Sequence, residues 1–305
     1  MRAFLRRSLS TATFVAAWPI AATAFADDPS PGEQGIPGAT STSTHEIDRT
    51  WLYADDARVA LPTAFIGMSS VSYTDVGGSP TRIVSPYPSV YRAFAGNTAQ
   101  PGAMVSLGGE VGVWPSVSVV ALGQAGFGGI GPSPSGGAIA GVRFQLLPSS
   151  WQSTHLVASL GYLREAWQGP VYEADAGVWH PGSPNGDNGA WLAVAFSGDI
   201  QRLRLAATIH GEHIFAEGRD GVDVMVNAGA SYRVVGALRA GVEYVGQDLE
   251  ESLSPAAESG ARHFIGPTAS LQLLHDRLTL AAGPAIGLSA LSPRLLGRFT
   301  MSYGF

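Results

Sequence analysis

The sequence predicts an all-β protein: a closed antiparallel transmembrane β-barrel of about twelve strands, each long enough for a tilted membrane crossing. Three observations carry that expectation. From Thr63 onward, stretches of about ten residues alternate apolar and polar side chains. The connections between these stretches are alternately short and long. The chain also finishes on such a stretch, Leu295 to Phe305, with Phe299, Met301, Tyr303 and Phe305 on one face. Free ends tend to fray, whereas a barrel that pairs its last strand with its first has a use for an ordered final strand.

The other end reads as export machinery. Arg2, Arg6 and Arg7 precede an apolar stretch from Thr11 to Phe25, and Ala24-Phe25-Ala26 has the small-x-small pattern of a cleavage site. Residues 1–26 are therefore expected to be a secretory signal peptide, and Pro19 argues against a membrane anchor. Residues 27–62 begin rich in Pro, Gly, Ser and Thr and then carry Trp51, Tyr53, Asp55, Asp56 and Arg58. They are expected to form a flexible periplasmic leader or a small plug in the barrel mouth. Residues 63–305 make the barrel.

Composition narrows the function classes. The chain has no cysteine, which rules out thiolate metal sites, cysteine nucleophiles and disulfides. Charged residues are 14% of the chain, against about 25% in ordinary soluble domains, as a lipid-facing surface would require. A net charge of −6 argues against a basic nucleic-acid interface. All 18 basic residues are arginine. After the signal, no apolar run reaches the roughly 20 residues of a spanning helix.

In order, strands are expected near 63–74, 102–112, 117–127, 137–147, 153–166, 188–198, 202–216, 221–234, 237–248, 262–274, 277–288 and 295–305. Short turns fall at 113–116, 148–152, 198–201, 235–236 and 275–276, and longer loops at 75–101, 128–136, 167–187, 249–261 and 289–294. Residues 87–96 are assigned to the first long loop. Short turns on one rim and long loops on the other is the outer-membrane pattern. If Phe305 ends in the periplasm, an even strand count puts the leader there too.

The alternation is cleanest in three successive strands. Arg202, Arg204, Ala206, Thr208, His210 and Glu212 oppose Leu203, Leu205, Ala207, Ile209 and Gly211. Asp223, Met225, Asn227 and Arg233 oppose Val222, Val224, Val226 and Tyr232. Arg239 and Glu243 oppose Leu238, Ala240, Val242 and Tyr244. Period two alone leaves open which face is outside, since a soluble lipocalin-like barrel or a sandwich also alternates. Lipid outside is favoured by the signal peptide with the aromatic last strand, by aromatics near strand ends on the apolar faces (Phe144, Tyr162, Phe215, Tyr232, Tyr244, Tyr303), and by charges that compensate one another on the polar faces. A two-residue turn at His275-Asp276 sets Leu271 opposite Leu280, Ala269 opposite Ala282 and Pro267 opposite Pro284, all on the apolar face. The facing prolines predict a local bulge or a widened ladder.

With this rhythm and the ending Phe299-Thr300-Met301-Ser302-Tyr303-Gly304-Phe305, the chain resembles bacterial outer-membrane β-barrel proteins over residues 63–305. Among them it looks most like small porin or transporter barrels of the kind found beside aromatic-degradation pathways. The resemblance implies a location in the cell outer membrane, contact with its lipid and lipopolysaccharide, and recognition of Phe299, Tyr303 and Phe305 by the barrel-assembly machinery.

The candidate chemistry lies on the polar faces. Arg202, Arg204, Arg233 and Arg239 gather near one end of three adjacent strands, with Glu212, Asp223, Asn227 and Glu243 further along. Arg143, Glu110 and Arg298 join the same interior set. An arginine-lined constriction favours anions, and an interior salt-bridge ladder is the plainer reading. His210 and His213 alternate to opposite faces and cannot share a metal, and His210 is expected to hydrogen-bond Glu212. The acidic loop with Asp248, Glu250, Glu251 and Glu258 reads as solvated rather than cation-binding, and loop 167–187 presents Trp167, Tyr172, Trp179 and His180. An outer-membrane lipid hydrolase would need a serine paired with His155 or His213, and no serine is convincingly placed. The expectation is a monomeric, non-enzymatic channel or binding barrel for a small solute, without cofactor or metal. A structural or surface-interaction barrel with a filled lumen is the alternative.

Overall fold

The computed structural model describes residues 54, 57–74, 102–128, 135–148, 153–167, 171–173, 178–180, 187–215, 222–247, 249, 261–289, 292 and 294–305. The expected signal peptide, the first part of the leader, residues 87–96 and the acidic loop residues Asp248, Glu250, Glu251 and Glu258 lie outside them.

Twelve antiparallel strands close into a barrel: β1 (Phe65–Thr74), β2 (Gly102–Trp114), β3 (Val117–Gly128), β4 (Ser135–Gln145), β5 (Thr154–Trp167), β8 (Asn188–Ile200), β9 (Leu203–Ile214), β10 (Asp223–Val235), β11 (Leu238–Gln247), β12 (Arg262–Leu273), β13 (Leu278–Gly287) and β14 (Leu295–Gly304). Sequence neighbours are wall neighbours, and β14 returns to β1. Each expected strand is present within a few residues of its expected ends. The one element added is a hairpin of β6 (Val171–Glu173) and β7 (Val178–His180), set within the long β5–β8 connection and pairing Tyr172 with Trp179. Strands of three residues are too short to show a period.

The structure decides which face is outside. Along β8 and β9 every second residue is buried, and the charged and strongly polar residues fall on buried rows: Arg204, Thr208, His210 and Glu212 on β9, and Ser106 and Glu110 on β2. The exposed rows are apolar, with Leu107, Leu160, Leu192, Ile209 and Ile286 each more than half exposed. A polar interior inside an apolar outer band is the arrangement of a bacterial outer-membrane barrel, since bilayer hydrocarbon takes the place of a core.

Closure joins the ends of the described barrel. β1 pairs β14 from Ile66↔Gly304 to Thr74↔Leu296. The Phe305 amide donates to the Phe65 carbonyl at 2.9 Å, and their rings lie 5.4 Å apart. Phe299, Met301 and Phe305 are exposed on the outer face as expected. The closing end shares its rim with the tight turns at Pro115–Ser116, Gln201–Arg202 and Gly236–Ala237, so the even strand count does return the chain to its starting side.

The β12–β13 hairpin keeps the expected register, with Leu271↔Leu280 and Ala269↔Ala282. Its turn is wider than the expected two residues: it spans 274–277 beyond the last pair Leu273↔Leu278, with positive φ at Leu274 (54°), His275 (56°) and Asp276 (64°). At the two prolines the ladder is interrupted without a bulge, because Ile265↔Ile286 beyond the gap is in the same register as Ala269↔Ala282 before it.

The inverted polarity makes a direct prediction. Leu107 is 70% exposed in the middle of β2. Leu107→Arg should destabilise the bilayer-inserted barrel by about 2–4 kcal/mol, the cost of a cation at mid-membrane. The measurement is urea unfolding from lipid vesicles. An unchanged midpoint would mean that this row faces water.

Candidate functional site: the barrel lumen

The lumen holds charges in fixed sets rather than as a loose lining. Glu110 of β2 is fully buried and accepts from Arg143 Nη1 at 2.6 Å, Ser118 Oγ at 2.6 Å and the Ala60 amide at 2.9 Å. β2, β3 and β4 are adjacent, so strand alternation alone brings Glu110, Ser118 and Arg143 to one patch of the inner wall. A second set centres on Asp199 at the end of β8. Arg204 grips it through Nε and Nη2 at 2.7 and 2.8 Å, and Arg58 Nη2 reaches the same carboxylate at 2.9 Å. Arg239 donates to Ser231 Oγ at 3.2 Å and to the Arg202 carbonyl at 3.3 Å. Arg298 donates to Ser70 Oγ at 3.2 Å, next to the closing seam.

Of the expected lumen residues, Arg143, Arg204, His210, Glu212, Asp223, Asn227, Arg239, Glu243 and Arg298 are buried inside. Arg202 and Arg233 are placed differently. Both are exposed at the rim, because Arg202 lies in the β8–β9 turn and Arg233 sits where β10 pairs irregularly with β11. Their backbones still meet, with the Arg233 amide on the Arg202 carbonyl at 2.9 Å. The expected His210–Glu212 hydrogen bond is not formed, and neither ring nitrogen of His210 has a hydrogen-bond partner among the described residues. Side chains two residues apart on a strand are separated by roughly 7 Å, too far for that bond without bending toward each other. His213 does point outward, with its ring 5.2 Å from Phe215. Among the described residues no three His, Asp or Glu side chains gather as a metal cluster.

Two lumen features were not expected from the sequence, and a third concerns the leader, for which a small plug was one of two expectations. Asp199 looked like a turn residue and turns out to be the hub of the second charge set. The inner wall also carries an apolar cluster that includes Ile66, Met68, Val120, Leu122, Ile139, Leu163 and Trp191. The Trp191 indole lies against Gly141 and Gly161, where an added Cβ would meet it at 2.5 and 2.7 Å. Inward aliphatics are invisible as such in a sequence, because only their strand parity tells them from lipid-facing ones. Finally, the segment before β1 runs inside the barrel. The Ala54 amide donates to Glu243 Oε2 at 3.1 Å, Ala57 packs against Val157 and Ala195, Arg58 bridges to Asp199, and the Ala60 amide caps Glu110. This strap touches the wall at β2, β5, β8 and β11.

At the long-loop rim, the Tyr244 hydroxyl and His263 Nδ1 are 2.7 Å apart, and Ser292 Oγ bonds the backbone of His263 and the hydroxyl of Ser289. The serine thus engages His263 through its backbone, while the ring faces tyrosine.

No protein-family model and no curated protein matches the chain. Solved structures with a similar fold include an outer-membrane channel from Pseudomonas putida F1, at 10% identity over 83% of this chain and 98% of that one with a TM-score of 0.49. The β domain of a Bordetella autotransporter matches at 11% identity over 80% and 100%, TM-score 0.48. The outer-membrane channel DcaP of Acinetobacter baumannii matches at 11% identity over 80% and 98%, TM-score 0.32. At these identities the likeness is one of barrel architecture alone.

The Glu110 set yields a stability prediction. Glu110→Ala leaves the Arg143 guanidinium buried without its carboxylate, and unfolding in urea should show a loss of about 3–5 kcal/mol. The double variant Glu110→Ala with Arg143→Met should recover most of that loss, because no uncompensated charge remains. Equal losses in the single and double variants would show that the pair is not coupled.

Proposed function

We propose that this protein is an outer-membrane barrel offering a narrow path or binding lumen for a small solute, and that the strap, through Ala54 and residues 57–60, holds the lumen closed in this conformation. The observation that carries the reading is the row of buried charge inside the wall: Arg143 with Glu110, Arg204 with Asp199, then Arg239 and Arg298. Buried ion pairs are poor sources of stability, and apolar replacements of similar volume are often as good or better. A barrel that only needed filling has little physical reason to hold them. A wall of fixed arginines does suit the selection of a charged or strongly polar solute, with anions favoured.

The strap supports closure rather than mere occupancy. It is anchored by two backbone amides on carboxylates and one ion pair, and Ala54, Ala57 and Ala60 add small apolar contacts with the wall. Arg58 and Asp199 are each about a quarter exposed, in the range where an ion pair contributes modestly. Such a strap can leave without unfolding the wall. The second reading, a filled barrel whose work is done on its surface, is favoured by the nearly complete burial of the inward-facing residues. In either case we take the chain to be a monomer in contact with outer-membrane lipid and lipopolysaccharide. The terminal row of Phe299, Tyr303 and Phe305 is then what the barrel-assembly machinery would read.

Single-channel recording in planar bilayers separates the two readings. Arg58→Ala, and more strongly deletion of residues 54–60, should raise open-channel conductance above wild type, and Arg204→Ala should shift permeability from anions toward cations. If all of these variants stay silent across the voltage range, the path reading fails and the filled-barrel reading stands.

A further inference from the structure

One stretch of wall lacks its latch. The Leu288 amide donates to the His263 carbonyl at 2.7 Å, Gly304 N to Arg277 O at 2.8 Å, and Gln272 N to Ala237 O at 3.1 Å. These bonds fix the parity: odd residues of β12 and even residues of β13 turn their backbone N–H and C=O groups toward each other. Pro267 and Pro284 sit on those two rows. Register places them directly opposite, midway between the pairs Ile265↔Ile286 and Ala269↔Ala282. Neither has an N–H to give, so both reciprocal bonds of that pair are missing and no ladder pair forms between the two flanking ones.

This is an expensive place for such a gap. Proline in sheets is confined to edges, strand starts and bulges, yet these two face each other in mid-strand, in a barrel without edges and without a bulge at that seam. Both rings are exposed on the outer surface, where hydrocarbon supplies no donor for the carbonyls. The backbones nonetheless stay in contact, since a Cβ on Gly266 would collide with the Pro284 carbonyl. The seam is therefore shut but not hydrogen-bonded. On its inner side stand the small residues Gly266, Gly283, Ala281 and Ala285, and the latter two belong to an apolar cluster completed by Val245, Phe264 and Leu296. Apolar surface thus lies on both sides of the gap.

We propose that the β12–β13 seam is a lateral portal, through which a small apolar molecule exchanges between the lumenal cluster around Phe264 and the bilayer. The role is independent of axial conduction. Parting the strands here breaks no ladder bond over the proline pair, and the small inner residues leave room for a molecule to pass.

The test locks the seam. Thr268 and Gly283 are opposed at an inward-facing position where the strands do not exchange bonds, and such pairs have a Cα separation of about 4.5 Å, within the span of a disulfide. The chain has no cysteine of its own, so Thr268→Cys with Gly283→Cys makes a single defined bridge. Protein in phosphatidylcholine vesicles is photolabelled with the apolar carbene precursor trifluoromethyl-iodophenyl-diazirine, and labelled residues are mapped by mass spectrometry. In wild type, inward-facing Phe264 and Leu296 should be labelled together with outward-facing Ile265 and Ile286. Oxidising the cysteine pair should abolish the inner labels, keep the outer ones, and be reversed by reductant. Pro267→Ala with Pro284→Ala, which restores both donors, should also lose the inner labels while keeping heat-modifiable gel mobility.

Absence of inner labels in wild type overturns the portal. So does their persistence in the locked barrel, or equal labelling of Val120 and Ile139 on the other inner wall, which would mean entry along the axis. Conductance of the locked variant reports on the axial path separately, so either proposal can fail alone.

Discussion

Everything in this molecule depends on the absence of water around its outer wall. A strand in hydrocarbon must find every backbone partner on a neighbouring strand, and only a closed ring leaves no edge. The β1–β14 seam completes that ring. It also inverts the usual rule of burial, so Leu107 and Ile209 lie outside while Arg143 and Glu110 lie within. Once the outer face is given to lipid, polar residues can only go inward. There they must satisfy one another, and the Glu110 and Asp199 sets are the result.

The wall itself was legible in the sequence because strand alternation is strict and a shift of one residue would expose the wrong face. The twelve barrel strands, the side on which the tight turns lie and the register of the β12–β13 hairpin all follow from period two and turn chemistry. What period two does not carry is the third dimension. Arg202 and Arg233 have the parity of lumen residues, yet they stand at the rim because their strands end or distort there. Asp199 shares its parity with lumen positions and looked like part of a turn. The strap has no period, and its partners lie 189 residues away at Glu243 and 141 at Asp199. The prolines were visible as an awkward pair. That their missing donors point at each other is a fact of backbone direction that only the hydrogen-bond pattern reveals.

The lumen is correspondingly of mixed polarity. Its charged sets lie close to the strap, whose amides and guanidinium complete them, and Trp191 and its aliphatic neighbours form a dry patch on many of the same strands, joined by Ala60 of the strap itself. His210 sits where these regions adjoin, across β8 from Ala193 and across β10 from Met225. A wall of uniform polarity would present one kind of surface to anything inside. This one offers charge and dispersion contact in alternation along single strands, since β4 carries both Arg143 and Ile139 and β9 both Arg204 and Ile214.

The closing seam has a further consequence, for the order of events in folding. Arg298 and Ser70, which meet beside it, are 228 residues apart in the chain. Every other neighbouring pair in the wall is consecutive among the barrel strands and can zip from a local turn, whereas this one must wait for the whole sheet to curl. Until then β1 and β14 are two bare edges on one unfinished sheet, each a template for the wrong partner. The interval before closure is thus the vulnerable period in the life of the molecule, and the aromatic contact between Phe65 and Phe305 is among the interactions that end it.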